Sequence, residues 1–235
     1  MPETLLSNLD WQTRLEPVYG LYAALARGVD PDAWLGGKLL YAGELHEDGC
    51  RLVRAANIAG AASLSATADT ATQRHAIRDG VADFLVTSLD EALRILKNEI
   101  RKRQAASVVV SLGPGKLVAE MRERGVLPDL LLPAAWDDGE SGVEEFLTNG
   151  ARPVEIMPLP ERGGFSAWAS APPDFDAIAM AALPETDHLN RRWLRLSPRY
   201  LGSAARRVRS LACAPEIASR LAAFATAQET PKDPE

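Results

Sequence analysis

Residues 83–113 read DFLVTSLDEALRILKNEIRKRQAASVVVSLG and contain a strand, a helix and a second strand with their boundaries. Residues 84–87 are a short, mainly apolar run that predicts the first strand. Ser88 with Glu91 three residues later has the spacing of a capping box, which satisfies two free amide donors at a helix start. Residues 108–110 are three consecutive valines, typical of a parallel strand covered by helices on both faces. The stretch therefore predicts a βαβ unit.

The same alternation of short strands and amphipathic helices continues on both sides of this unit. Further strands are predicted at 38–42, 62–66, 129–132 and 154–157, and further helices at 51–58, 70–79, 116–124 and 143–147. Because the alternation is sustained over about 120 residues, it favours helices wound on both faces of one sheet. The predicted fold class is α/β, with a doubly wound, mostly parallel Rossmann-like sheet.

The two ends of the chain differ from this central part. Residues 1–30 predict an N-terminal helical arm whose apolar face must cover either a sheet edge or a partner subunit. The Rossmann-like domain is predicted to span 31–160. A C-terminal extension at 161–225 has one strand, at 165–169, and basic helices, and 226–235 predict a frayed polar tail.

The C-terminal extension carries a series of arginines with no acidic residue among them. Trp193 and Tyr200 lie within the series, and this interleaving of basic and aromatic residues is typical of a phosphate or RNA contact surface. The alternative is a helix pair that docks against the acidic remainder of the molecule or a second subunit. The net negative charge of the chain favours docking. The arginines are Arg191, Arg192, Arg195, Arg199, Arg206, Arg207 and Arg209.

Composition argues against several classes of protein. A net charge of -6 over 235 residues and a pI near 5.2 give no general attraction for nucleic acid or an anionic membrane. Without a signal peptide or an apolar run of membrane length, the sequence predicts a cytoplasmic protein with no membrane partner. Cys50 and Cys213 are too few for a disulfide framework. His46, His75 and His188 show no metal-ligand spacing, so no metal site is predicted.

Five stretches taken together resemble a known family. They are GKLLYAG at 37–43, IAGAASLSATAD at 58–69, SLDEALRI at 88–95, SVVVSLGPGKLVAEMRERGVLPDLL at 107–131 and LPAAW at 132–136. In order and spacing they resemble the central NAD-binding domain of urocanase, the urocanate hydratase of histidine breakdown. The resemblance implies a Rossmann-like domain in a cytoplasmic homodimer, with NAD as the cofactor.

The loop after the first strand departs from this family. Urocanases have a glycine-dense loop there, where backbone amides approach the pyrophosphate of the dinucleotide. In this chain 42–52 read AGELHEDGCRL, which keeps only Gly43 and Gly49 as residues for cofactor binding. Three carboxylates, Glu44, Glu47 and Asp48, are expected to repel the phosphates.

Two further departures concern the ribose and the substrate. The family has an acidic residue after the second strand that binds the ribose hydroxyls. In this chain the matching position is Thr67, and Asp69 lies two residues further on. The flanking regions that hold urocanate in the family have no counterpart in a chain of this length. NAD is the electrophile of the family's reaction. We therefore predict from these losses that the chain binds no cofactor and does not have hydratase activity.

The turn Gly113-Pro114-Gly115-Lys116 follows a buried strand and opens a helix. Its amides and Lys116 could hold a small-molecule anion or nucleotide, with Ser111 as a companion at the end of the strand. An ordinary strand-to-helix turn is favoured, because the Walker spacing and its hydroxyl are missing. Ligands of open α/β sheets bind at this edge, so Ser111, Gly113, Gly115 and Lys116 are the best predicted pocket residues.

Two other features have structural and chemical interpretations. Cys50 precedes the predicted helix at 51–58, where the dipole could activate it as a nucleophile, but no histidine base accompanies it and a packed cysteine is favoured. Asp137, Asp138 and Glu140 could serve as paired carboxylates or bind a cation, but a solvated loop is favoured. No catalytic residue is assigned.

Two functional hypotheses follow. In the first, a trimmed urocanase-like domain has lost the hydratase reaction and binds a small ligand or an assembly partner. In the second, the domain is an NAD- or nucleotide-binding enzyme, or enzyme subunit, related to urocanate hydratase, a lyase. The glycine-poor, acidic loop at 42–52 favours the first.

Overall fold

The computed structural model of the protein describes residues 8–133, 143–155, 164–169, 171–202 and 205–227. The chain divides into two compact units, one of Leu21–Met157 and one of Met1–Gly20 together with Pro158–Glu235. The first helix, α1, spans Asn8–Leu25 and contributes residues to both units. Its predicted apolar face is buried: Leu15, Val18, Leu21, Tyr22 and Leu25 are each at most 5% exposed.

Six parallel strands among the described residues form the sheet of the larger unit. They are β1 Leu39–Glu44, β2 Ala62–Ala66, β3 Phe84–Val86, β4 Ser107–Val110, β5 Leu130–Leu131 and β6 Arg152–Pro153. Their order across the sheet is β3-β4-β2-β1-β5-β6, and every pairing is parallel. The predicted α/β class with a parallel Rossmann-like sheet is therefore confirmed.

Helices cover both faces of this sheet. They are α2 Glu47–Ala59, α3 Thr70–Arg78, α4 Leu89–Arg101, α5 Pro114–Glu123 and α6 Val143–Thr148. Leu64 and Val108 on one face form a buried cluster with Leu89 of α4 and Leu117 of α5. Because α2 packs on β1 and β2 but adds none of its described residues to that cluster, it covers the opposite face. The sheet is thus doubly wound.

The smaller unit has its own sheet and core. A two-stranded antiparallel sheet pairs β7 Phe165–Trp168 with β8 Arg209–Ala212. It is accompanied by α7 Phe175–Ala182, α8 His188–Tyr200 and α9 Pro215–Ala227. Trp193 of α8 is fully buried, and its indole Nε1 donates to the Ser210 carbonyl at 2.9 Å. Tyr19 of α1 lies in the same core, where its hydroxyl donates to Asn190 Oδ1 at 2.7 Å.

Several boundaries differ from those predicted. Helix α2 begins at Glu47, four residues before the predicted start, because His46 caps it. Strand β6 precedes the predicted 154–157, whose last two residues lie outside the described ranges. The stretch around β8, predicted to be helical, contains a strand because it pairs with β7. The predicted tail at 226–235 is described only to residue 227, the end of α9.

The capping prediction for α4 is confirmed with one shift. Ser88 is the N-cap residue, and its hydroxyl accepts from Glu91 N. The Glu91 carboxylate accepts from the amide of Thr87 at 3.2 Å, one residue before the position that a capping box uses. Both interactions satisfy donors at the helix start, as the sequence pattern predicts.

Candidate functional site

The carboxyl ends of the strands meet at one edge of the sheet, where ligands of open α/β folds bind. In the strand order, α2 connects β1 to β2, toward the β3 edge, whereas α6 connects β5 to β6, at the opposite edge. The direction of the connections therefore reverses between β1 and β5. Gly43 lies at the end of β1, beside this reversal. The turn at Gly113 follows β4, which is separated from β1 by β2. At about 4.8 Å per strand spacing, the two predicted sets of site residues therefore follow strands about 10 Å apart.

Gly43 and Gly49 each have a conformational or packing reason to be glycine. Gly43 has a φ of 69°, in the left-handed region that glycine favours. Gly49 lies in the first turn of α2, and a Cβ built on it would be 2.0 Å from the Glu44 carbonyl oxygen. The absent side chain lets α2 pack closely on the end of β1. In dinucleotide loops glycines serve these same two purposes, the tight turn and the close helix packing.

The amides at the start of α2 are partly occupied. His46 is the N-cap residue, and its Nδ1 accepts from Gly49 N at 3.2 Å. A phosphate oxygen that bound this amide would have to displace the imidazole, since an N–H of the first turn has one preferred acceptor. The sequence shows a histidine here, but its capping role was not predicted, because histidine is an uncommon N-cap residue.

The carboxylates predicted to repel a phosphate lie beside this cap. Glu47 and Asp48 begin α2 and are exposed, and both form ion pairs with Arg51, at 2.5 Å and 2.7 Å. Arg51 therefore offsets part of the negative charge, which the sequence interpretation did not consider. Surface pairs of this kind are weak, so two carboxylates still lie where the pyrophosphate of a dinucleotide would approach. The residues at the start of α2 do not fit a pyrophosphate.

Thr67 and Asp69, where the ribose hydroxyls were expected to bind, form hydrogen bonds with nearby residues. Thr67 is buried, and its Oγ1 accepts from Asp69 N at 3.3 Å. The Asp69 carboxylate caps α3, accepting from Thr72 Oγ1 at 2.6 Å and from Thr72 N at 2.8 Å. These hydrogen bonds, that of the Thr72 hydroxyl first, lower the pKa of Asp69. Its oxygens stabilise a helix start.

The start of α5 differs from that of α2 because no described side chain caps it. Gly113 is its N-cap residue and makes no side-chain cap, and Pro114 occupies the first turn. Cβ atoms built on Gly113 and Gly115 would have no described atom within 4 Å, so both glycines border open space. Lys116 is exposed and Ser111 is half-buried, with Ser111 N donating to the Val86 carbonyl at 2.8 Å. Side chains cap α2, α3 and α4, but none caps α5 in the described residues.

Residues 19–133 match the family model of the urocanase Rossmann-like domain. This part of the chain is similar to a urocanase Rossmann-like domain. The match begins inside α1 and takes in β1 to β5 with the helices between them, so both predicted sets of site residues lie within it. The resemblance inferred from the sequence is confirmed. The smaller unit, apart from its residues 19–20, lies outside the match.

The paired carboxylates predicted after residue 133 remain a prediction. Asp137, Asp138 and Glu140 lie outside the described residues. Within the described ranges, no group of three or more histidine, cysteine or acidic side chains could hold a metal ion. No described helix has both the length and the apolar character needed to cross a membrane.

Cys50 lies within the matched residues, in α2, and is half-buried. Burial raises the pKa of its thiol, as do Asp79 and Glu47, while Arg54 opposes them. Since the thiolate is the nucleophile, this environment suits a packed cysteine.

We expect iodoacetamide to alkylate Cys50 more slowly in the folded protein than in the urea-unfolded chain at the same pH, because the folded protein holds less thiolate. Mass spectrometry of peptides after timed labelling between about pH 7 and pH 10 measures this. Cys213 is an internal comparison, since burial, followed by Asp187, raises its pKa to about 11. Faster labelling of Cys50 in the folded protein would reveal an activated thiolate.

The arginine series lies outside the matched residues, and two of its members form contacts within the smaller unit. Arg209 forms a two-pronged pair with Asp176 of α7, at 2.6 Å and 3.0 Å. Arg191 Nη1 donates to the carbonyls of Met180 and Leu183 near the end of the same helix. Trp193, predicted as a stacking aromatic, is buried. Two of the seven arginines thus bind within the smaller unit, and the choice between docking and a nucleic-acid surface stays a prediction.

Proposed function

We propose that this urocanase-like protein does not hydrate urocanate and acts in the cytoplasm as a binding protein for a small anion. The anion is held at the start of α5. The observation that carries the proposal is the contrast between two helix starts. At α2 the His46 imidazole caps an amide beside two carboxylates, whereas at α5 no described side chain caps the amides and a lysine follows.

The start of α2 supports the first half of the proposal. A dinucleotide brings two negative charges, which meet Glu47 and Asp48 instead of bare backbone. A phosphate would also have to displace the His46 cap, and N-caps contribute about 1 kcal/mol to a helix. Without the dinucleotide the reactive centre of the family's chemistry is missing, so the hydratase reaction is not expected.

The start of α5 supports the second half. The first amides of a helix carry a partial positive charge, and an anion is stabilised there. Gly113 and Gly115 present no side chain that would hinder approach. Lys116 is exposed and forms no ion pair with a described residue, which leaves its ammonium for a ligand. A phosphate or carboxylate matches this combination of amides and one cation.

One observation favours the alternative, an NAD- or nucleotide-binding enzyme or enzyme subunit of the urocanase type. Gly43 and Gly49 keep the tight turn and the close helix packing of a dinucleotide loop. Arg51 offsets part of the carboxylate charge next to them.

Titration calorimetry with NAD, NADH and inorganic phosphate, each to millimolar concentration, tests the proposal. We expect no saturation with either dinucleotide and measurable phosphate binding, which Lys116→Ala weakens by about tenfold, because one charged contact is lost. Lys97→Ala, an exposed lysine on α4, is the matched control and is expected to leave phosphate binding unchanged.

Saturation with NAD would support the alternative instead. In that case Glu47→Gln with Asp48→Asn should tighten NAD binding if the carboxylates oppose it. Phosphate binding that Lys116→Ala leaves unchanged would contradict the site at α5.

A further inference from the structure

The outward side of α8 and the turn after it are rich in exposed arginine. Residues 188–215 contain seven arginines and no acidic residue. Arg191 and Arg209 have partners within the smaller unit, as described above. Four others are exposed, and their guanidinium groups form no ion pair or hydrogen bond with a described residue. These four, here called the arginine surface, are Arg195, Arg199, Arg206 and Arg207.

The geometry of α8 places two of these arginines away from the core. Trp193, Leu194 and Ser197 of this helix are buried. At 3.6 residues per turn, Arg195 and Arg199 fall on the opposite side of the helix, about one turn apart. Their side chains therefore lie outside the core of the smaller unit, and they neutralise no acidic neighbour among the described residues.

Arg206 and Arg207 extend this surface past the end of α8. The chain there makes a tight turn, in which Val208 N donates to the Ala205 carbonyl at 3.0 Å. Because the turn begins within a few residues of the helix end, both arginines lie near the last turn of α8, which contains Arg199. The four guanidinium groups thus belong to one region of the smaller unit.

The arginine surface attracts anions despite the net charge of the chain. That charge is -6, but no acidic residue occurs among 188–215. Exposed charges more than about 10 Å apart are largely screened at 0.1 M salt, so a ligand here responds mainly to the nearby arginines. A guanidinium binds a phosphate or a carboxylate through two parallel hydrogen bonds. The surface therefore suits a partner that carries several such groups.

Two observations select RNA over an acidic protein as that partner. A stable protein interface has an apolar or aromatic core, yet none of the exposed large apolar side chains that the structure describes belongs to 164–227. The Arg199 guanidinium also lies over the Tyr200 ring, 5.2 Å from its centroid. A guanidinium held in this way offers its outer side to an unpaired base, and the carboxylates of a peptide form no such stack.

We propose that the arginine surface binds the phosphate backbone of single-stranded RNA. The four guanidinium groups contact phosphates, and that of Arg199, supported by Tyr200, also stacks on one base. Bases paired in a duplex are not available for this stack. The surface is in the smaller unit, so the inference goes beyond the anion site proposed at α5 and does not depend on it.

Fluorescence anisotropy of a labelled uridine oligonucleotide of about 12 nucleotides, with the full chain and salt from about 50 to 200 mM, tests the proposal. We expect the logarithm of the association constant to fall with that of the salt concentration at a slope of about -3, because four phosphate contacts on a single strand release counterions. Arg195→Gln with Arg199→Gln should halve this slope and weaken binding at least about tenfold at the lowest salt. The matched control, expected to leave binding unchanged, is Arg74→Gln with Arg101→Gln, two exposed arginines of the larger unit.

Three further measurements separate RNA from other polyanions. Tyr200→Ala should weaken RNA binding at least about threefold, because the stacked guanidinium loses its support. An RNA duplex of the same length should bind more weakly than the single strand, and a glutamate peptide of equal charge should not displace it. The absence of binding at the lowest salt, or binding that the Arg195 and Arg199 variant or Tyr200→Ala leaves unchanged, overturns the proposal. A duplex that binds as well as the single strand, or displacement by the peptide, also overturns it, the latter in favour of an acidic protein partner.

Discussion

Replacing Gly49 with alanine is expected to lower the free energy of unfolding by about 3 kcal/mol. The added Cβ would lie 2.0 Å from the Glu44 carbonyl oxygen, and that atom belongs to the backbone of a strand in the middle of the sheet. Alanine favours a helix over glycine by about 1 kcal/mol, which offsets only part of this loss. Helix α2 must shift away from β1 to relieve the contact.

Urea denaturation followed by circular dichroism measures the change, with Gly115→Ala as the matched control. Gly115 also lies in the first turn of a helix, but a Cβ there would have no described neighbour within 4 Å. We expect Gly115→Ala to be neutral or to stabilise by up to about 1 kcal/mol. If both variants had the same stability as the original chain, the packing role of Gly49 would be refuted.

The second large effect is expected at Trp193, whose replacement by alanine should destabilise the protein by about 3–5 kcal/mol. Its side chain is fully buried, and the Tyr19 ring packs edge-on against it with centroids 5.0 Å apart. The truncation leaves a cavity, and the Ser210 carbonyl loses the indole donor that lies 2.9 Å away.

Two variants separate the causes of this loss. Trp193→Phe keeps a ring in the core but removes the indole donor, so it should cost less than the alanine variant. Tyr200→Ala, at the half-buried end of the same helix, should cost less than about 1 kcal/mol. Thermal unfolding monitored by near-ultraviolet circular dichroism measures all three. An alanine variant at Trp193 as stable as the Tyr200 variant would contradict the role assigned to the indole.

The central βαβ unit could be predicted from sequence because its signals are local. Ser88, the leucine stripe of α4 and the valines of β4 lie within one short stretch, and each element is fixed by neighbours along the chain. The family resemblance was visible for the same reason. It rests on several stretches whose order and spacing match, and residues 19–133 carry the confirmed match.

Features that depend on distant contacts were not predictable in this way. Strand β8 pairs with β7, more than 40 residues earlier, and its sequence RSLA has no strand pattern of its own. Gly49 was predicted as a cofactor-binding residue because it is one of two glycines left in a loop that is glycine-dense in urocanases, whereas its packing role depends on the distance between α2 and Glu44. The roles of His46 and Arg51 became apparent only when α2 was seen to begin at Glu47.

The contact between Tyr19 and Asn190 has a consequence for the order of events during protein synthesis. The two residues are 171 positions apart, so the ribosome must add all the residues between them before this hydrogen bond can form. The larger unit is one continuous segment and can close its core while the rest is still being translated. The smaller unit combines residues 1–20 with residues 158–235, so its core can be completed only after α8 has left the exit tunnel.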